Sequence, residues 1–194
     1  MQYFPLNLSK VFNHIFYHND VIEANSQYNQ KNIYGIPHVN NILCTNKKES
    51  NREVFGVPFL SASDNDIFDN VMNDGQVINI QKQRIDAIAF LGFSEMGTVC
   101  DDVILYSNDE KIFIPLILKT FHTDKFKGID DIGKNANCKL AFYLDGNDGQ
   151  KHGVFFWQLN LTKQTSIDAI ELPVNCSMHI MGITLLIDNP QITC

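Results

Sequence analysis

From residue 52 onward the chain alternates short apolar runs with turn signals, and this rhythm limits the possible folds more than any other feature. The runs are 52–60, 75–81, 85–92, 102–107, 111–119, 138–144, 153–161, 166–172 and 178–187. Val, Ile, Phe and Tyr dominate them, the residue types that suit a pleated, half-buried surface. Between them stand Asn73-Asp74-Gly75, Ser107-Asn108-Asp109, Gly146-Asn147-Asp148-Gly149 and Leu172-Pro173, sequences that favour reversal of the chain. Short strands at this spacing predict an all-β fold, an antiparallel β-sandwich, jelly roll or barrel. No long segment of helical period separates them, which argues against a parallel βαβ sheet.

The 194 residues suffice for one domain with a substantial core. Apolar residues make up 44% and charged residues 19%, the balance of a soluble globular chain. A formal charge of −7 opposes general affinity for nucleic acid or anionic membrane, since both attract a basic face. The longest apolar stretch, 180–187, is strand-sized rather than membrane-spanning. The N-terminus lacks a basic region leading into an apolar one, so the sequence reads as cytoplasmic unless a leader has been removed.

The five cysteines are scattered, odd in number and without a C-x-x-C pair; they predict neither a disulfide framework nor a zinc site. Cys100, Cys138 and Cys176 fall in or beside strand-like runs and read as core or near-core thiols. Residues 1–51 differ from the rest. Leu8 to Phe16 offers a helical turn or short strand, and an Asn/Gln/Tyr/His-rich stretch follows to Asn51. A lid or edge wrap, or else a partly disordered segment, attached to one single domain, residues 1–194, accounts for it.

Motifs of catalysis are weak. GFSEMG (92–97) approaches the G-x-S-x-G nucleophile elbow, but Met96 stands where the second glycine is required and a strand rather than a helix follows. DGNDG (145–149) begins like an EF-hand loop, yet Phe156 occupies the twelfth position. The remaining acidic groups read first as turn formers bonding their own backbone. Among them Asp64, Asp66 and Asp69 could hold a structural Ca²⁺ through several oxygens. His14 and His18 are four apart without an acidic partner fixed between them, and His179, alternating into an apolar strand, reads as a satisfied or edge residue. No other cofactor is indicated.

GVPF (56–59), DNV (69–71) and GQVI (75–78) form a more specific succession. LGFSEMG (91–97) follows, then DVILYSND, and IELP with MHIMGITLL closes it. This order resembles the galactose-binding-like β-sandwich modules appended to bacterial glycoside hydrolases, over about residues 4 to 188. The resemblance implies a jelly roll whose ligand sits among loops at one end or on a concave sheet face. It also implies that Gly56, Pro58, Asp69, Asn70 and Gln76 are framework, with Asp69 and Asn70 tying a loop to backbone. Two departures stand out: HTDKF (122–126) lacks the tryptophan expected there, and Asn108-Asp109-Glu110 replaces an Asp-Gly turn.

The sequence thus predicts a non-catalytic carbohydrate-binding or accessory module. The expected contacts are Phe93, Glu95, Asp101, His122, Asp124 and Asn147, all placed in inter-strand loops. Two other functions stay open: a protein-interaction module that has lost its sugar site, and a small glycan-active enzyme needing a convergent Asp/Glu/His cluster in a cleft.

Overall fold

A computed structural model describes residues 1–14, 51–62, 69–108, 110–121, 137–145 and 149–187. Ten strands appear there: β1 (Gln2–Pro5), β2 (Asn51–Val54), β3 (Val57–Leu60), β4 (Val71–Met72), β5 (Val77–Ser94), β6 (Val99–Ser107), β7 (Glu110–Leu118), β8 (Cys138–Asp145), β9 (Lys151–Glu171) and β10 (Met178–Ile187). All strand pairs are antiparallel. The fold is all-β and consistent with a β-sandwich.

Eight strands share one hydrogen-bonded network in the order β1-β10-β5-β9-β6-β7, with β4 beside β10 and β8 beside β9. Its spine is the pair β5 and β9, of 18 and 21 residues. Each was expected as two strands, because polar residues interrupt the apolar pattern at Lys82-Gln83-Arg84 and Thr162-Lys163-Gln164. Those residues are instead the solvent-facing middles of continuous strands, and the register between β5 and β9 shifts beside them. Shifts of this kind bend a sheet and let one strand serve two halves of a curved structure. The run 52–60 is likewise not one strand but the hairpin β2–β3, turned at Phe55-Gly56, both with positive φ.

The core lies where two hairpins fold over the spine. Leu116 and Leu118 of β7 are fully buried, and Leu118 comes against Gly92 of β5. Phe59 of β3 lies against Gly182 of β10 and edge-on to Phe156 of β9, while Thr184 Oγ1 donates to the Pro58 carbonyl. Trp157 packs edge-on against Phe90 directly opposite it on β5.

Cys138 is buried as expected, whereas Cys100 is exposed on β6. Burial pushes the Cys138 thiol up to about 11, against a smaller opposing effect of nearby Lys119. The unfolded thiol ionises near 9.0, so its contribution to stability is intact below that pH and is lost as pH climbs towards the folded value. The loss amounts to about 2–3 kcal/mol. Denaturant titrations at about pH 8 and about pH 11 should show wild type losing that much more stability than Cys138→Ala; equal losses would contradict it.

Candidate functional site

At the end of the spine where β5 finishes and β10 begins, six polar or aromatic side chains from four chain segments converge. His14 comes from the N-terminal segment, Asp69 and Asn70 immediately precede β4, Phe93 and Glu95 flank the end of β5, and His179 is the second residue of β10. Backbone pairing sets the positions. His14 forms an antiparallel bridge with Asn70, Met72 of β4 pairs with His179, and His179 pairs with Phe93.

Asn70 is the hub. Its Nδ2 donates to Asp69 Oδ1 at 2.8 Å and to the His14 carbonyl at 3.3 Å. Both partners are acceptors only, so the amide orientation is fixed and Oδ1 must accept on its other side. Two imidazole nitrogens meet that oxygen: His14 Nδ1 at 3.1 Å and His179 Nδ1 at 2.9 Å. A bare Nδ1 would set one lone pair against another, so both rings carry their proton on Nδ1. What each imidazole then offers is Nε2. His179 Nε2 stands 3.2 Å from Glu95 Oε1.

Stacking holds the rings in place. His179 lies flat on Phe93, with centroids 4.8 Å apart and planes 4° from parallel, and His14 tilts against His179 at 4.6 Å. Phe93 in turn meets Phe121 at 5.4 Å, and Phe121 meets His152 at 5.0 Å. Asp69, Asn70, His14 and His179 are all buried; the Glu95 side chain, 13% exposed, gives the group its contact with solvent. Such a network is stable only when its members satisfy one another, since an unmatched buried polar group is costly.

Several expectations change here. Phe93 is not in a loop; it is a buried residue of β5 whose ring stacks on His179. Asp101 is also within a strand, β6, where its carboxylate caps the Asp102 amide and accepts from Asn175 Nδ2 at 3.0 Å. Glu95 does lie in the β5–β6 turn, and its backbone donates to Ser177 O at 2.9 Å. Glu95 and Asp101 therefore both attach to the 173–177 loop. Of the two readings of His179, satisfied or edge, the edge is excluded, because there β10 pairs with β4 on one side and β5 on the other, and His179 Nδ1 meets Asn70. Asp69 serves the Asn70 amide, whereas Asp64 and Asp66, its expected Ca²⁺ partners, lie outside the described residues, as do His122, Asp124 and Asn147.

Asp69 and Asn70 do tie chain segments together, but Asn70 also orients two histidines, a role the sequence did not indicate. The polar groups that simply hold a turn are a few residues on. Gln76 Oε1 accepts from the Asp74 amide at 2.8 Å and Gln76 Nε2 donates to Met72 O at 2.8 Å.

Fold and geometry together define an antiparallel β-sheet protein with an enclosed imidazole–amide–carboxylate network at one end. Compared with family models and with curated proteins, the sequence matches none.

Proposed function

We propose that this chain is a non-catalytic accessory module that binds a partner through the loop end formed by residues 95–98 and 173–177. The observation that carries the reading is the construction of that end. The two loops are fastened by the Glu95–Ser177 backbone bond and the Asp101–Asn175 side-chain bond, and they present Met96 and Val174, 77% and 61% exposed, to solvent. Apolar groups on a fixed support bind without a large ordering cost. The two histidine rings beside this end are buried, so a glycan does not reach them as it would reach catalytic groups in a cleft.

The exposed side chains are aliphatic, and Phe93 and Phe121, which would otherwise stack on a sugar, are buried. This favours a protein partner. A carbohydrate ligand is the second reading, supported by the planar carboxylate–amide pair of Asp101 and Asn175 and by the resemblance to galactose-binding-like, jelly-roll modules.

Thermal unfolding against a panel of mono- and oligosaccharides separates the two, because a ligand specific to the folded state raises the midpoint. A rise that disappears in Asp101→Ala supports the carbohydrate reading. A flat response, with a cross-linked partner whose affinity falls at least about tenfold in Met96→Asp/Val174→Asp and is unchanged in Phe113→Ser, supports the protein reading. Partner binding indifferent to Met96 and Val174, together with a flat sugar response, would overturn both.

A further inference from the structure

We propose that His14, His179 and Glu95 form a three-ligand site for one divalent transition-metal ion of the zinc class. One nitrogen of each histidine and one carboxylate oxygen of Glu95 lie within 4.8 Å of one another. The His179–Glu95 separation of 3.2 Å is close to the edge of a tetrahedron with metal–ligand bonds of zinc length, about 3.3 Å. His14 and Glu95 complete the set with a small approach, one from the N-terminal segment and the other from a turn.

The surroundings are those a metal-binding imidazole requires. A metal takes the lone pair of one ring nitrogen while the other nitrogen donates a hydrogen bond that fixes the tautomer and the ring plane. Asn70 Oδ1 receives that bond from both rings, and Asp69 fixes Asn70 in turn. Phe93 sets the plane of the His179 ring by stacking. The result gathers two imidazoles and a carboxylate around one place, with His179 Nε2 facing Glu95.

The donor set selects the ion. Imidazole nitrogen suits zinc, copper, nickel and iron, whereas Ca²⁺ and Mg²⁺ demand oxygen ligands throughout. Two histidines and one carboxylate leave a tetrahedral ion one position for water, and that position opens on the Glu95 side, where the site meets solvent. The ion would join the N-terminal segment to β10 and to the β5–β6 turn, adding to the Asn70 bonds, ring contacts and backbone pairing that already hold them.

The test uses the full chain, stripped with chelator and titrated with zinc chloride. One ion per folded chain is expected, and Glu95→Gln should weaken its binding at least about tenfold, the low end of what loss of a supporting group alone produces. Cobalt(II) substituted in the wild-type chain provides a readout that does not depend on how a variant folds. The expected spectrum shows visible bands of a four-coordinate ion without thiolate-to-cobalt charge transfer. Thiolate charge transfer would place the ion on cysteines and overturn the proposal. So would absence of zinc binding, or zinc affinity unchanged in Glu95→Gln.

Discussion

Replacing Asn70 by alanine is expected to lower stability by about 3–5 kcal/mol. The side chain is fully buried and makes four hydrogen bonds. Its removal takes away the acceptor for two imidazole N–H groups and the amide donor that serves the Asp69 carboxylate. Each buried group left without a partner costs about 1–3 kcal/mol, far more than the net value of an intact bond. A loss of this size is a large share of the roughly 5–15 kcal/mol that holds a domain folded. Denaturant unfolding measures it directly. In a double-mutant cycle with His179→Phe, the two changes should be less than additive by about 1 kcal/mol or more, because each removes the same bond. Full additivity would mean that Asn70 and His179 do not act as a unit.

Gly92→Ala should be at least as damaging, for a backbone reason. A Cβ at Gly92 would stand 2.2 Å from the carbonyl oxygen of His179, with Leu118 Cδ1 at 3.3 Å. The obstructing atom belongs to the neighbouring strand, so relief requires β5 and β10 to separate at the bulge where Gly92 pairs with Ile180 and Leu91 with Gly182. Overpacking of a core ordinarily costs about 1–3 kcal/mol, and this substitution should reach about 3 kcal/mol or more because no rotamer change relieves it. Movement of β10 also carries His179 away from Asn70. Gly182→Ala is the control: its Cβ would meet Phe59 Cδ1 at 3.0 Å, a side chain able to turn aside, and about 1–2 kcal/mol is expected. The two alanine variants compared by denaturant unfolding should therefore differ clearly, with Gly92→Ala the less stable. Equal stabilities would contradict the close strand contact.

The strands were legible where burial alternates or is continuous. The run 178–187 matches β10 residue for residue, because a short, mostly apolar stretch rich in Ile and Leu has few other uses. Boundaries failed where a strand crosses solvent. Lys82 to Arg84 and Thr162 to Gln164 have the composition of loops, yet main-chain pairing between β5 and β9 continues around them. The β2–β3 turn was hidden for the opposite reason: Phe55 is apolar and preserves the alternation while adopting a positive φ of 51°.

The network at the end of the spine was barely legible. His14 and His179 lie near opposite ends of the sequence, and each has an unremarkable local reading. Only the strand register brings His179 opposite Phe93 and beside Met72, and only the His14–Asn70 bridge delivers the second imidazole. A histidine inside the apolar run 178–187 was the one available signal, since an imidazole there needs a polar partner from another element. Glu95 was picked out as a contact, but for a ligand at the surface rather than for His179. Phe93 was picked out as well, as a loop residue beyond the run 85–92; β5 instead runs on to Ser94, and Gly92 lets β5 and β10 approach closely.

Asn70 fixes the proton of both imidazoles on Nδ1 and turns His179 Nε2 towards Glu95. Long-range proton–nitrogen NMR of the imidazoles of nitrogen-15-labelled protein reads this directly. Nδ1 should be protonated in both His14 and His179, whether Nε2 is bare, shares a proton with Glu95 or is coordinated by zinc. A bare Nδ1 with the proton on Nε2, in either ring, would contradict the account.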